Sequence, residues 1–533
     1  MRRVGDWGLI ERTGERATLY SRSHIEETFP RPLGPLAWSL VEGPLERAQR
    51  RVFHSHLGLL SSKECDSERF MAMFDRYVYR NVTLLQHAVA RFPGGARHAV
   101  DPSSSLGVDI ADVPRRRVAA TDPLWWVWSV PASTRAALRL PRLLEADERC
   151  VGAASRVSAS TRSLDDRIDA LNSLQDALTQ AWTTHYLARS VSLAAARVAS
   201  ILLRNGEGGC SLPAVDGLRG IELASAQAVE GVMAAARARA NGEDVRWLAG
   251  ELVARAGHRG RNELDPTEEV DGERLRHFMQ VIEAIAAESE LVVVERVLRT
   301  VPFVERVAAG LLAMVETSKA NVAAVVDAMR SVCRELEVPG LELSTVSLVS
   351  LPEFNDRRFP SHVELERRRA ELSVAGSTAP PPALFQVGSE LRRASREDSR
   401  VTDVLRGVGR FEGRIVGRAW VPTSFEEVRD GDILVLEAVD PMTAAWLPGS
   451  RAVITDEGGL LSHGMLLARH YGVPAIVGTR QATSSIRTGD IVCLEGSESV
   501  VRILSRAEHS VDEVGFAMAG EDKRGAHRHD LGE

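Results

Sequence analysis

The sequence predicts a multidomain α and α/β protein: a largely α-helical N-terminal region followed by a compact α/β domain. Three observations predict it. The chain has 533 residues and 58.2 kDa, which suits about two to four domains rather than one. Between residues 133 and 335, Ala, Leu, Arg and Glu dominate. Apolar positions recur there at three- and four-residue steps, as in Leu174, Leu178 and Trp182. After Val401 the pattern changes to short β-rich runs spaced by Gly-Asp and Pro turns.

Residues 1–130 are mixed, with Pro and Gly punctuation and much of the aromatic weight. Trp125, Trp126 and Trp128 lie between Pro123 and Pro131, which suits a turn or a helix start. They suit either the wall of an aromatic pocket or a core or domain interface. The helical stretch is broken at 205–209 and again at Gly257-His258-Arg259-Gly260-Arg261-Asn262-Glu263. Leu343–Leu351 reads as a short β-like run, and Glu364–Leu372 as a charged helix. Ala375–Pro382 is rich in Gly, Ser and Pro and suits neither helix nor central strand, so 373–402 reads as a linker. Strands are expected at Gly413–Val421, Ile433–Glu437, Ala452–Thr455, Ala475–Val477 and Ile491–Leu494, with one helix at His463–Tyr471. The domains are thus 1–372, the linker, 403–505, and a charged tail, 506–533, expected to be disordered.

Composition narrows the function. Sixty-six cationic against 73 acidic side chains give a net charge of −7 and a pI near 6.1, against a dedicated nucleic-acid binder. Cys65, Cys150, Cys210, Cys333 and Cys493 form no CxxC pair, and no metal site is expected. Sparse cysteines suit a reducing cytoplasm. The N-terminus lacks an apolar signal core, and charges interrupt Leu291–Val315, the longest apolar stretch, so no membrane partner is expected. Lys63, Lys319 and Lys523 are the only lysines; arginine supplies the rest of the positive charge.

The chemistry concentrates in Thr455–Gly478. A strand ends at Thr455, and Gly458 and Gly459 allow a sharp turn. Ser462 is a good N-cap, which places His463 in the first helical turn. Gly472 and Pro474 stop the helix. A histidine there sits at the positive end of the helix dipole, which favours the neutral, nucleophilic imidazole. The free N–H groups can receive a phosphoryl group. The same residues also fit a capped helix with an incidental histidine.

This stretch resembles the phosphohistidine swivelling (mobile) domain of the phosphoenolpyruvate-utilising enzyme family. Thr455, Gly458, Gly459, Ser462, His463, Ala468, Arg469, Gly472, Pro474, Ala475 and Gly478 match its pattern. Gly464 is similar to the rifampicin phosphotransferase branch, where other members carry Ala. Gly413–Ala419, Gly431–Val435 and Asp440-Pro441 with Trp446 resemble further segments of the domain, the tryptophan being shifted. Tyr20–Ser39, Phe74–Val82 and Gly257–Asp265 resemble the substrate-binding region of the rifampicin phosphotransferase and phosphoenolpyruvate synthase-like branch, with Asp75 in place of a glycine. The resemblance implies that His463 carries the phosphoryl group, in the motif of Thr455, Gly458, Gly459, Ser462 and Arg469. His470 departs from the usual acidic residue and reads as an exposed helix position.

Transfer to a hydroxyl needs charge stabilisation and often a base. The loop from His258 to Asp265 offers His258 as a base, Arg259 as a phosphoryl clamp and Glu263 as a carboxylate. It also fits a helix–helix loop tied by its own charges. Glu316 and Lys319 resemble an Arg-Glu-x-x-Lys element whose arginine position is Val315 here; they also fit a surface ion pair. No Walker-type loop or ATP-grasp module is evident. ATP and Mg2+ are therefore expected on a separate ATP-grasp subunit, with none bound by this chain. The function implied is a phosphotransferase component passing phosphate from His463 to a small, apolar or aromatic, hydroxyl-bearing acceptor. A non-catalytic relative that binds a small molecule or regulates a partner is the alternative, and a structural or interaction protein is a third reading.

Overall fold

The structure is a computed structural model. It describes residues 17–22, 25, 28–91, 124–159, 163–203, 224–256, 264–267, 272–286, 303–338, 341, 343–378, 380–381, 383–387, 390–393, 403–409, 411, 413–422, 432–440, 443–459 and 462–507.

The N-terminal region opens with β1 (Ala17–Ser21) and α1 (Pro35–Arg50), which has proline in its first turn and runs on as a π-helical segment, Arg51–His56. Strands β2 (Met71–Phe74) and β3 (Tyr77–Asn81) form a hairpin. Its two turn residues, Asp75 and Arg76, both have positive φ, as a two-residue hairpin loop with matching twist requires. After α2 (Val82–Ala90) come the long helices α3 (Leu124–Ala159) and α4 (Leu164–Leu203). Next are α5 (Ala224–Ala240), α6 (Arg246–Ala256), α7 (Gly272–Ala286) and α8 (Phe303–Arg334).

The main core lies where α1, α3, α4 and α8 meet. Leu40 and Leu45, Leu171, Leu174, Leu178 and Trp182, and Val322, Val326 and Met329 are buried together there. The apolar stripe read from the sequence of α4 is thus its core face. Ala309–Arg334 of α8 has the length and apolarity to cross a membrane. Fifty-six per cent of it is buried in the protein, and it serves as the central helix of this bundle.

Two expectations are corrected. Leu343–Leu351 is not a strand: Leu343–Val346 and Leu351–Asn355 are short helices. Ser350 caps the second in a capping box with Glu353, and Leu348, Val349 and Leu351 point into the bundle core. An apolar run buried among helices has no reason to alternate. Nor is 373–402 wholly a linker. Helix α9 (His362–Ser377) runs into it, and β4 (Ala383–Val387) and β5 (Glu390–Arg393) form a hairpin within it. Strand β4 pairs along all of β1, giving an antiparallel sheet ordered β2-β3-β1-β4-β5. Tyr77 and Tyr79 fasten the preceding segment, their hydroxyls donating to the carbonyls of Ala375 (3.1 Å) and Pro381 (2.9 Å).

The C-terminal unit comprises β6 (Val404–Arg406), β7 (Arg414–Trp420), β8 (Ile433–Leu436), a 3-10 helix (Thr443–Gly449), β9 (Ala452–Thr455), α10 (His463–Tyr471), β10 (Ala475–Ile476), β11 (Ile491–Glu495) and β12 (Val500–Ser505). Its sheet runs β10-β9-β8-β7-β11-β12-β6. The pairs from β7 through β10 are parallel and the others antiparallel. One side of this unit shares a core with the helices: Trp420, Trp446, Leu466 and Leu467 are buried in one cluster with Val229, Met233, Phe278, Val281 and Leu312.

Candidate active site at the helix α10 N-terminus

Ser462 caps α10 by accepting from the Met465 amide at 3.3 Å. At the other end Gly472 takes the left-handed conformation (φ 70°) that closes the helix. Gly458 also has positive φ (126°) in the turn leading to the cap. Thr455 holds the start of that turn: its Oγ1 donates to the Glu457 carbonyl at 2.5 Å, and its own carbonyl accepts from Thr479. Asp456, buried beside it, accepts from the amides of Ala482 and Thr483. These bonds fix the strand-to-helix connection that presents His463.

His463 is buried, 8% exposed. Its Nδ1 lies 3.1 Å from Oε2 of Glu316 on α8, a carboxylate only 1% exposed. An ionised carboxylate can only accept, so this contact places the imidazole proton on Nδ1 and leaves the lone pair on Nε2. The Nε2 atom is buried with no hydrogen-bond partner. The ion-pair reading of Glu316 and Lys319 as a surface feature therefore fails for Glu316.

A second histidine, absent from the sequence reading, adjoins this pair. His185 on α4 lies beside the Glu316, Lys319 and Arg189 charges. Its Nδ1 is 3.1 Å from Ser318 Oγ, which itself donates to the Val315 carbonyl at 2.7 Å. The serine proton being used, His185 Nδ1 is the donor. Burial above all, with the nearby Arg189 and Lys319 cations, pushes His185 down to about 3, so it is neutral. No sequence motif marks it, and its hydrogen-bond partner comes from another helix. Val315 is a core residue, 2% exposed, and its side chain packs in the bundle.

Other expected residues lie apart. Arg469 sits six positions after His463, about 9 Å along the helix and on another face. Burial lowers it to about 10. His470, expected to be exposed, is buried and packs edge-on against Tyr471 at 4.9 Å. His258, Arg259 and Glu263 lie outside the described residues, as do 205–209, the side chains of Trp125, Trp126 and Trp128, and the tail from 508. The end of the loop is visible: Arg330 donates to the Asp265 carbonyl at 2.9 Å. Arg330 is fourteen positions beyond Glu316, so this anchor lies about 21 Å along α8 from the histidine contact. Among the described residues no cluster of three metal-ligating side chains occurs.

Residues 428–499 match the family model of the PEP-utilising enzyme mobile domain. The chain is 30% identical over 171 residues to an uncharacterised phosphotransferase, YvkC, of Bacillus subtilis, covering 31% of this chain and 20% of that protein. It is 33% identical over 170 residues to a rifampicin phosphotransferase of Streptomyces sviceus, with the same two coverages. It is 37% identical over 101 residues to a probable phosphoenolpyruvate synthase of Pyrococcus abyssi, covering 18% of this chain and 12% of that one. The chain thus matches about a fifth or less of the length of these relatives. The segment holding His463 accordingly matches the mobile domain of the phosphoenolpyruvate-utilising enzymes.

Proposed function

We propose that this chain is the carrier-and-acceptor part of a phosphotransferase, in which His463 Nε2 takes a phosphoryl group and passes it to a hydroxyl-bearing small molecule beside α4 and α8. The observation that carries this reading is the 3.1 Å contact between Glu316 and His463 Nδ1. It orients the ring and leaves Nε2 free to present the phosphoryl group at the delivery station, an arrangement in which a carboxylate positions a reacting imidazole.

The loading step is of the dikinase type: a bond forms between Nε2 and the β-phosphorus of ATP held by a separate ATP-grasp subunit, where Mg2+ also binds, and the bond to the leaving AMP breaks. Water then releases the terminal phosphate, leaving one phosphoryl group on Nε2. In the second step the acceptor oxygen attacks the phosphorus, the N–P bond breaks, and the hydroxyl proton passes to a base. His463 is buried against α8 in the present arrangement. Loading from a large donor therefore requires the C-terminal unit to leave this position, and delivery occurs when it returns.

Purified protein incubated with ATP, Mg2+ and an ATP-grasp protein encoded beside it is expected to gain acid-labile, base-stable phosphate. His463→Ala should gain none. Equal labelling of His463→Ala would contradict the proposal, and so would failure to label the wild-type protein with every such partner.

A further inference from the structure

Arg80 on β3 is a buried arginine with no carboxylate partner among the described residues. It is 9% exposed. Its guanidinium carbon stands 5.7 Å from the centre of the Tyr186 ring on α4. The cation faces the Tyr186 ring and interacts with its hydroxyl, while Arg80 Nε is buried with no hydrogen-bond partner. The carboxylate in this neighbourhood, Glu46, is engaged elsewhere: it accepts from the amides of Phe70 (3.1 Å) and Met71 (2.6 Å). A buried cation with no counter-charge is unfavourable unless something outside the chain supplies one.

The position relates this pair to the phosphoryl site. Tyr186 stacks on Trp182 at 5.1 Å and adjoins His185, with ring centres 5.9 Å apart. His185 contacts Ser318, two residues from Glu316. Arg80, Tyr186, His185 and the Glu316–His463 pair thus form a continuous line from the five-stranded sheet to the carrier histidine.

We propose that Arg80 and Tyr186 form an oxyanion-binding subsite that holds a carboxylate of the phosphoryl acceptor. The guanidinium is shaped for bidentate contact with a planar carboxylate. The Tyr186 hydroxyl supplies a further donor, and Trp182 and Tyr186 give the aromatic surroundings that suit an aromatic carrier of that group. This inference rests on the reading of α4 and α8 as the acceptor side. It narrows the acceptor to an acid with a hydroxyl at its other end.

The test is thermal unfolding of wild-type and Arg80→Met protein at constant ionic strength with sodium benzoate, sodium phenyl phosphate or neutral benzamide. Benzoate is expected to raise the wild-type Tm by about 1–3 °C at tenfold excess over its Kd, and benzamide to leave it unchanged. Arg80→Met should lose the benzoate shift, and without ligand should melt no lower than wild type, because it removes an unmatched buried charge. A shift with phenyl phosphate alone would overturn the carboxylate assignment. Equal responses from both proteins, no response to any probe, or an Arg80→Met protein that melts several degrees lower would each overturn the subsite. None of these measurements needs ATP or a partner, so failure of His463 labelling would leave their outcome standing.

Discussion

At the scale of single residues, the account turns on Glu316. A buried carboxylate 3.1 Å from His463 Nδ1 fixes which nitrogen carries the proton. Glu316→Gln keeps the shape but can present its N–H side and lose the charge. Discharge of phosphohistidine to acceptor should then fall by about 10²-fold or more, measured by single-turnover assay of prelabelled protein. Loading, which the proposed function places away from α8, should be nearly unchanged. A second buried acid makes a pH prediction. Burial pushes Asp147 up to about 6 against an ordinary 3.8, and its Oδ2 has no partner. A folded-state value above the unfolded one means that the native protein binds the extra proton. Stability from this group is therefore lost as pH rises from about 4 to 6. Asp147→Asn should raise the Tm relative to wild type at pH 8 and lose that advantage near pH 4, read by calorimetry at both. His463 was legible in the sequence because its neighbours form a motif. Its contact with Glu316 was not, because the two are 147 positions apart and nothing local encodes the meeting. His185 was illegible for the same reason: its partners Ser318 and Lys319 come from another helix.

At the scale of elements, helix α10 was read nearly whole, since its start and stop are local chemistry: Ser462 as cap, Gly472 and Pro474 as terminator. Gly464 has a reason that only the fold reveals. A Cβ there would meet Val439 Cγ2 at 2.8 Å, and valine is stiff at χ1. Gly464→Ala should gain helix propensity yet lose about 1 kcal/mol overall, measured by urea unfolding. Val439→Ala in the same chain should recover most of the loss. The segment after α9 was misread because its strand identity is non-local. Ala383–Val387 is a strand through pairing with Ala17–Ser21, more than 360 positions earlier. The proline-rich run before it suggested a linker but occupies only the approach to that strand. Leu343–Leu351 was misread for a related reason: its apolar residues are spent on a helical core rather than on a sheet.

At the scale of the molecule, the two units share a core, and His463 lies within that contact. On the proposed function, this arrangement is a carrier seated at one of its stations. Its distinctness as a unit was legible from the change in hydrophobic period near Val401, while the seat itself, built from α5, α7 and α8, was not. The account's central claim is that the seat accepts the histidine by one nitrogen only: Glu316 occupies Nδ1, so a phosphoryl group delivered there is carried on Nε2. NMR of the ATP-labelled protein, correlating phosphorus with the ring nitrogens of 15N-histidine, measures this directly. The account predicts a single phosphohistidine, at Nε2 of His463, absent in His463→Ala. Phosphate on Nδ1, or on any other residue, would contradict it.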